Sequence, residues 1–187
     1  YAPRHANALF ILAERVAAVA ADRIVCVAKA MVEQALQVGV ASPDKFSVIY
    51  SGMDVDAYRD AGRDLAQVRA RFGLSSEDVV IGKVARLFEL KGHEAVLRAA
   101  TRIVQRCPRA KFLFVGDGVL RETLQDRAAE LGLADQVVFT GLMPLEAMPA
   151  VIGAMDVVVH ASLREGLARV LVQGLLCEKP VVTYDLD

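Results

Sequence analysis

Residues 111–140 have the sequence KFLFVGDGVLRETLQDRAAELGLADQVVFT, in which two apolar, β-rich runs flank a more polar segment. The first run is Lys111–Val115 and the second is Gln136–Thr140. The segment from about 119 to 131 has the composition and length of a helix. These thirty residues therefore predict a strand–helix–strand unit.

The same alternation continues on both sides of this unit. Three more apolar runs predict strands at Val79–Val84, Asp156–His160 and Pro180–Tyr184. Helices are expected near 92–106, 145–152 and 166–176. Five continuously apolar strands separated by helices are typical of a parallel sheet that is covered on both faces. The fold class is therefore α/β, with a Rossmann-like doubly wound parallel sheet, and the strand order stays open.

The first fifty residues repeat the alternation more loosely. The patterns predict helices near 8–20 and 30–38 and strands at 23–27 and 46–50. A turn is expected at 51–54, followed by a connecting helix over Arg63–Leu74. The chain begins within a helical pattern and stops at Leu186-Asp187 just after a strand, so we expect a fold that is truncated at both ends.

Composition narrows the class of ligand. The chain has 187 residues, of which 55% are apolar and 24% charged, and its formal net charge is −1. This charge offers no overall attraction to nucleic acid or anionic lipid, so local groups must hold any bound anion. Three widely spaced cysteines without a CxxC pair favour buried thiols in a reducing cytosol over a zinc site: Cys26, Cys107 and Cys177.

No secretory signal or membrane span is evident in the sequence. The longest apolar stretch, Ala6–Ala21, is interrupted by Glu14 and Arg15 and is shorter than the roughly 20 residues that cross a bilayer. These observations predict a soluble, cytoplasmic protein.

The residues that follow the predicted strands indicate a binding site. In a parallel sheet, every connection from a strand to its following helix lies at one edge, and ligands bind outside the carboxyl ends of the strands. Cations, glycines and a carboxylate occupy those positions: Arg86, Lys91, Gly116-Asp117-Gly118, Gly141, and His160 through Glu165-Gly166. This set is suited to a ligand that carries both phosphate and hydroxyl groups.

Each of these groups also has an ordinary interpretation. Arg86 and Lys91 can neutralise a diphosphate, or they can be loop cations on the surface. Gly116-Asp117-Gly118 is also a good turn sequence, and Arg at position 121 breaks a GxGxxG fingerprint, which counts against a dehydrogenase. Glu165, expected to open a helix, could stabilise the helix dipole or accept hydrogen bonds from a sugar. His160 and His93 are expected to be structural, with His93 in the first turn of its helix.

Several motifs in order resemble those of the family 4 retaining glycosyltransferases, which have the GT-B fold. They are Val84-Ala85-Arg86-Leu87 with Lys91-Gly92, Phe114–Gly118, Val138–Gly141, Ala161–Leu167 continuing to Lys179–Val182, and the upstream pieces Ala21–Val25 and Ser51–Asp54. The resemblance implies that residues 1–50 end the N-terminal acceptor domain and contain the crossing between domains. Residues 51–187 then form an incomplete C-terminal domain that binds the nucleotide-sugar donor.

The resemblance implies an enzyme that transfers a sugar from a donor such as UDP- or GDP-hexose to a saccharide, lipid or small-molecule acceptor, with retention of configuration. No metal, other cofactor or nucleic acid is expected, and the missing N-terminal domain is where contact with a membrane surface would occur. By position, Arg86 and Lys91 would hold the diphosphate and Glu165 the sugar ring. The other implied donor-binding residues are Gly116, Asp117, Gly118, Gly141, Leu142, Gly166, Leu167 and Ala168. The chain alone is expected to bind donor without catalysis.

The sequence departs from the family pattern at several positions. Gln173 stands eight residues after Glu165, where the family has a second carboxylate that binds the ribose hydroxyls, so we expect weaker donor binding. Other substitutions look tolerable: Ala85, Ser51 and Glu178. Arg164 and Arg169 add cations to which the resemblance assigns no role.

Three other functions are compatible with the architecture. A non-hydrolysing sugar-nucleotide epimerase would turn over its donor without an acceptor. A non-catalytic nucleotide-sugar-binding module, which Gln173 makes plausible, would bind donor tightly and transfer nothing. A dehydrogenase would bind NAD(P).

Overall fold

The computed structural model describes residues 4–61 and 64–185. Two compact units meet in sequence between Met53 and Asp54. The predicted start of the connecting helix at Arg63 and the last two residues, Leu186-Asp187, lie outside the described residues. The two units are described separately.

The first unit has helices α1 (Arg4–Ala20) and α2 (Lys29–Gln37) and strands β1 (Ile24–Cys26) and β2 (Phe46–Val48), with a 3₁₀ turn at Pro43–Lys45. The two strands are parallel. Nζ of Lys45 donates hydrogen bonds to the carbonyl oxygens of Ala18 at 2.7 Å and Ala21 at 2.9 Å. Because the last carbonyls of a helix have no partner within the helix, Lys45 stabilises the C-terminal end of α1.

The second unit contains a five-stranded sheet with the order β5-β4-β3-β6-β7, in which every neighbouring pair is parallel. Its strands are β3 (Val79–Val84), β4 (Ala110–Val115), β5 (Val137–Gly141), β6 (Val157–His160) and β7 (Val181–Thr183). Its helices are α3 (Val55–Arg59), α4 (Leu65–Arg71), α5 (His93–Arg106), α6 (Arg121–Glu130), α7 (Met148–Gly153) and α8 (Arg169–Leu176). The predicted doubly wound α/β class is confirmed.

The helices of this unit form two packed groups. Helices α5 and α6 pack together, whereas α3, α4, α7 and α8 contact one another. Right-handed crossovers require this division, because the chain runs from β3 to β4 in one direction across the sheet and from β6 to β7 in the other. One core cluster lies between the sheet and α5–α6 and includes Leu97, Phe112 and Phe114, all fully buried.

Three helical predictions need correction, and one helix was missed. Helix α8 begins at Arg169 rather than near 166, so Glu165 lies in the preceding loop and does not open a helix, and a helix dipole does not explain its placement. The segment near 145–152 is a 3₁₀ turn, Leu145–Ala147, that runs into α7. The connecting helix is the shorter α4. Helix α3 was not predicted, although the Asp54 side chain, which accepts from the Ala57 amide at 3.2 Å, is a typical N-cap signal.

The strand order determines where a ligand can bind. The chain leaves β3 towards β4 and β5, then returns to the other side of β3 to form β6 and β7. The connections that follow β3 and β6 therefore diverge from neighbouring strands and leave a crevice at the carboxyl edge. In open α/β sheets, this switch point is where ligands bind.

Candidate functional site

A pocket of about 230 Å³ lies at this switch point. The charged residues that line it are Arg86, Lys91, Glu165 and Arg169, and the rest of its lining is His160 and the apolar residues Val84, Ala85, Leu167, Ala168 and Val170. Two loops supply these residues, one between β3 and α5 and one between β6 and α8. The structure thus brings the two predicted cations and the predicted carboxylate together, although they are about eighty positions apart.

Backbone hydrogen bonds fix the loop that carries Arg86. The amide of Ala85 donates to the carbonyl of Val115 at 3.0 Å, and the amide of Leu87 donates to that of Asp117 at 2.9 Å. These bonds flank Arg86 on both sides. The guanidinium is therefore presented from a loop that the neighbouring β4–α6 loop holds in place.

Gly116 and Gly118 allow this close contact between loops. A Cβ atom on Gly116 would lie 2.2 Å from the carbonyl oxygen of Ala85, and one on Gly118 would lie 2.6 Å from that of Leu87. Gly116 also has a φ of 133°, which favours glycine. In the structure, the predicted Gly116-Asp117-Gly118 element packs against the loop of Arg86 and does not line the pocket.

The loop that carries Glu165 is attached to the β3–α5 loop from the other side. The amide of Leu163 donates to the carbonyl of Leu90 at 2.9 Å. Gly92 has a φ of 68°, and a Cβ atom there would lie 1.9 Å from the carbonyl oxygen of Ala161. This contact between Gly92 and the backbone of Ala161 sets the distance between Lys91 and Glu165.

Lys91 and Glu165 form an ion pair at the floor of the pocket. Nζ of Lys91 lies 2.6 Å from Oε1 of Glu165, and the two side chains are 24% and 20% exposed. Nε2 of His160 lies 3.3 Å from the same carboxylate oxygen. Partial burial is the largest single influence on the pKa of Glu165 and raises it, but the hydrogen bond and positive charge of Lys91, together with Ser162 and His160, lower the pKa by more in sum, so that the net pKa is lowered. Glu165 is therefore ionised at neutral pH.

The guanidinium groups of Arg86 and Arg169 supply positive charge that the pocket does not neutralise. Arg86 is exposed, and its guanidinium lies 5.0 Å from the centre of the Phe88 ring. Among the described residues, neither arginine has a carboxylate partner. With Lys91 balanced by Glu165, the pocket has an excess of two positive charges and suits a polyanion.

Arg169 is the pocket residue that the sequence left without a role. The predicted helix start near 166 placed it inside a helix, whereas it is the first residue of α8 and lines the pocket. Arg164, also exposed in this loop, is not part of the lining. Gly166 lies in the same loop, between the lining residues Glu165 and Leu167.

Other predicted donor-binding residues lie elsewhere along the edge of the sheet. Asp117 accepts hydrogen bonds from the Gly118 amide at 2.8 Å and from Arg121 at 3.1 Å. Gly141 accepts from the Gly116 amide at 3.0 Å, and Leu142 is 77% exposed. These residues lie at or just after the ends of β4 and β5, on the side of β3 away from β6, and none lines the pocket.

Gln173 also lies outside the pocket. Its side chain is buried, and Nε2 donates a hydrogen bond of 2.7 Å to the hydroxyl of Tyr58 in α3. The amide that the sequence placed near a ribose is therefore engaged in packing α8 against α3 in the structure.

A layer of buried polar side chains occupies the same end of the sheet as the ion pair: Lys83, His93, His160 and Ser162. Among the described residues, the side-chain nitrogen atoms of Lys83 and His93 have no hydrogen-bond partner, whereas His160 lies beside Glu165. Burial and the nearby Lys91 lower the pKa of Lys83 to about 8, and burial and Lys83 lower the pKa of His93 to about 3. Near pH 7, Lys83 is thus mostly charged and His93 is neutral.

Two larger concave regions fit a phosphate ligand less well. One, of about 530 Å³, lies between α5 and α6 and is lined by four carboxylates: Glu89, Glu94, Asp126 and Glu130. Its one guanidinium, Arg127, is already paired with Glu94 and Glu130. The other, of about 370 Å³, is mainly apolar and lies between α5 and the β6–β7 side of the sheet. The basic pocket at the switch point is therefore favoured over both of these cavities as the candidate site.

Two further features concern the residues that the structure describes, 4–61 and 64–185. In that part of the chain, no three His, Cys, Asp or Glu side chains are grouped so that they could hold a metal ion. None of its helices has both the length and the apolar character that a membrane crossing requires.

Comparison with known proteins gives consistent similarities. The profile of the family described as glycosyl transferases group 1 matches residues 66–187. The chain is 35% identical over 138 residues to a 2-deoxystreptamine glucosyltransferase of Streptomyces kanamyceticus, which covers 73% of this chain and 36% of that protein. It is 32% identical over 167 residues to a D-inositol 3-phosphate glycosyltransferase of Mycobacteroides abscessus, covering 87% of this chain and 36% of the relative.

A solved structure resembles the chain over most of its length. The crystal structure of Anabaena Alr3699/HepE in complex with UDP and glucose aligns with a TM-score of 0.80 and 28% identity, covering 92% of this chain and 48% of the other. The chain thus spans about half of that protein and little more than a third of the two curated relatives.

Proposed function

This chain belongs to the glycosyl transferases group 1 family, and we propose that it is the donor-binding part of a retaining hexosyltransferase. The observation that carries the proposal is the meeting of Arg86, Lys91 and Glu165 around one pocket at the switch point of the sheet. Cations and a carboxylate in one small basic pocket match a ligand that joins a diphosphate to a sugar. Residues 51–187 would form the donor domain, and residues 1–50 would end the acceptor domain.

In this proposal, Arg86 and Lys91 hold the diphosphate of the donor. Negative charge grows on the departing nucleotide as the glycosidic bond breaks, and fixed cations stabilise that charge most strongly in the transition state. Arg86 is ready for this role because it has no carboxylate partner among the described residues and its loop is held on both sides. The positive charge of these side chains would serve in place of a metal ion, so the proposed reaction needs no cofactor.

Glu165 would accept hydrogen bonds from the hydroxyl groups of the sugar. Its carboxylate is ionised and lines the pocket, and Oε2 is the oxygen atom that Lys91 does not use. Backbone amides of Gly166, Leu167 and Ala168 precede the first turn of α8, where free N–H groups favour anions or hydroxyl oxygens. These amides would complete the contacts to the sugar or to a phosphate.

The remaining predicted residues would act from the ends of β4 and β5 and the loops that follow them. Gly116, Asp117 and Gly118 would support the loop of Arg86, while Gly141 and Leu142 would border the nucleotide base. A UDP- or GDP-hexose is the proposed donor, and the similar HepE structure contains UDP and glucose. The acceptor would be a saccharide, lipid or small molecule, and we propose a cytoplasmic location.

A thermal-shift screen of the chain against UDP, GDP, ADP and their sugar conjugates tests this function. A ligand that binds the folded state raises the melting temperature by mass action, so weak ligands are visible at millimolar concentration. We expect at least one sugar nucleotide to raise the midpoint more than NAD(P) does. A shift with NAD(P) and none with any sugar nucleotide would contradict the proposal.

One observation supports a second candidate, a non-catalytic nucleotide-sugar-binding module. Gln173 stands where the family has a carboxylate, and its amide is buried against Tyr58. Measurement of sugar transfer by the full-length protein separates the two functions. Tight donor binding with no transfer would favour the module, while turnover of donor without acceptor would indicate an epimerase instead.

A further inference from the structure

Lys83 is a buried cation in the central strand of the sheet. It lies near the carboxyl end of β3, in register with Phe114 of β4, and is 0% exposed. Its Nζ has no hydrogen-bond partner among the described residues. Removing an ammonium group from water costs several kcal/mol unless another charge compensates it. A methionine of similar length would fill the same space without that cost.

The groups that act on Lys83 lie in the loops and helix around the candidate site. Burial and the positive charge of Lys91 disfavour its ammonium form, and the negative charge of Glu165 favours it. The two imidazoles nearby carry no charge at neutral pH, because burial and Lys83 lower the pKa of both His93 and His160. Lys83 forms no ion pair among the described residues, so the attraction between its ammonium group and Glu165 acts through space and not by direct contact.

A bound donor would compete with Glu165 for Lys91. Lys91 is bonded to Glu165 in the structure, yet it also lines the pocket that suits a diphosphate. If phosphate oxygens draw Lys91 away, the carboxylate of Glu165, whose side chain is 20% exposed, loses its hydrogen-bonded counter-charge. Leaving a shielded charge without a partner is strongly unfavourable.

We propose that Lys83 is a positioning residue that acts as a buried counter-charge for Glu165, keeping that carboxylate ionised when Lys91 engages the phosphates. His160 assists, because its Nε2 lies 3.3 Å from Oε1 of Glu165 and a neutral imidazole can donate one hydrogen bond there. This inference rests on the proposed function for the identity of the anion that enters the pocket.

Lys83→Met separates this role from a merely structural one. A structural lysine would lower the melting temperature when replaced, whereas a buried counter-charge costs stability, so the variant should melt at a higher temperature than the parent. Lys111→Met is the matched control, since Lys111 lies on the neighbouring strand β4 and bonds the carbonyl of Asp135 at 2.8 Å near the surface. We expect no gain in stability from the control.

Titration calorimetry with UDP-glucose and with UDP gives the functional readout. Because Glu165 is proposed to contact the sugar, Lys83→Met should weaken UDP-glucose binding about tenfold and change UDP binding by less than about twofold. Lys111→Met should leave both affinities unchanged. A lower melting temperature together with equal losses for both ligands would overturn the inference.

A second measurement needs no nucleotide. The carboxyl carbon of Glu165 is followed by NMR through a pH titration in Lys91→Met and in the double variant Lys83→Met/Lys91→Met. With Lys83 present, the pKa of Glu165 should stay near or below its ordinary value of 4.5, and without Lys83 it should rise by about one pH unit or more. Equal pKa values in the two variants would overturn the inference. If the parent chain binds no sugar nucleotide, the proposed function fails, and this titration alone decides the role of Lys83.

Discussion

The two loops that follow β3 and β6 differ from the two that follow β4 and β5, although all four carry glycines or charged residues at the same edge of the sheet. The central loops diverge at the switch point and enclose the pocket, with Arg86 and Arg169 free of carboxylate partners among the described residues. In the outer loops, Asp117 pairs with Arg121 at 3.1 Å, and the glycines pack against neighbouring backbone. Strand order, more than the residue types in a loop, thus decides which motif reaches the site.

The largest effect is expected from Gly92→Ala, at the contact between the loop that follows β3 and the loop that follows β6. The new Cβ atom would lie 1.9 Å from the carbonyl oxygen of Ala161, so the two loops would have to separate. We expect the free energy of unfolding in urea to fall by more than about 3 kcal/mol and nucleotide binding to be lost. Gly132→Ala is the control, because it has a similar φ of 69° but no atom within 4 Å, and it should cost only about 1–2 kcal/mol. Equal losses of unfolding free energy in the two variants would show that the contact between these two loops is not tightly packed.

Replacement of the cations that line the pocket tests, through the affinity for UDP or GDP, whether the loops after β3 and β6 bind the ligand and those after β4 and β5 do not. Arg86→Ala and Lys91→Ala should each weaken UDP or GDP binding tenfold or more, since a charge-assisted contact contributes about 1.5–3 kcal/mol. Arg164→Ala, in the loop of Glu165 but outside the lining, and Arg121→Ala, beside the outer loops, should change affinity by less than about threefold. Calorimetric titration measures all four, and unchanged affinity in the first two variants would remove those cations from the site.

Tyr58→Phe tests whether Gln173 has a structural role. The variant leaves the buried amide of Gln173 without its acceptor, which should lower the free energy of unfolding by about 1–3 kcal/mol. UDP affinity should not change, because neither residue lines the pocket. A large loss of affinity without loss of stability would instead place Gln173 in contact with the donor.

The buried His93, beside the loop that follows β3, predicts that the stability of the chain depends on pH. His93 has a pKa of about 3 in the folded chain against an ordinary value of 6.5. The unfolded chain therefore binds more protons between these values, and stability falls as the pH drops below about 6.5. The contribution is up to about 1.4 kcal/mol per pH unit. Urea unfolding from pH 7 to 5 should show this slope reduced in His93→Leu, and identical slopes would contradict the assignment.

The sequence predicted the strands of the second unit closely because each is a continuous apolar run. Val79–Val84 was predicted with the observed bounds, and the other four differ by at most one residue at either end. The start of α8 was misplaced because Gly166-Leu167-Ala168 contains no capping side chain, and the backbone of Ala168 is not helical. Glu165 was therefore assigned to a helix when it lies in the pocket loop.

Contacts between distant residues explain the rest of what the sequence missed. Gln173 and Tyr58 are 115 positions apart, and no local pattern shows that one bonds the other. The strand order likewise depends on which hydrophobic faces pack, and it decides that Asp117 and Gly141 lie outside the pocket. The cations and the carboxylate were found because their position after a strand is visible in the sequence itself.

Chemical-shift mapping of the backbone amides during titration with UDP tests the central claim most directly. If the switch-point pocket holds the diphosphate, the largest shifts will fall in residues 85–92 and 161–170. Shifts concentrated in residues 123–130, beside the acidic cavity between α5 and α6, with the two central loops unchanged, would contradict it.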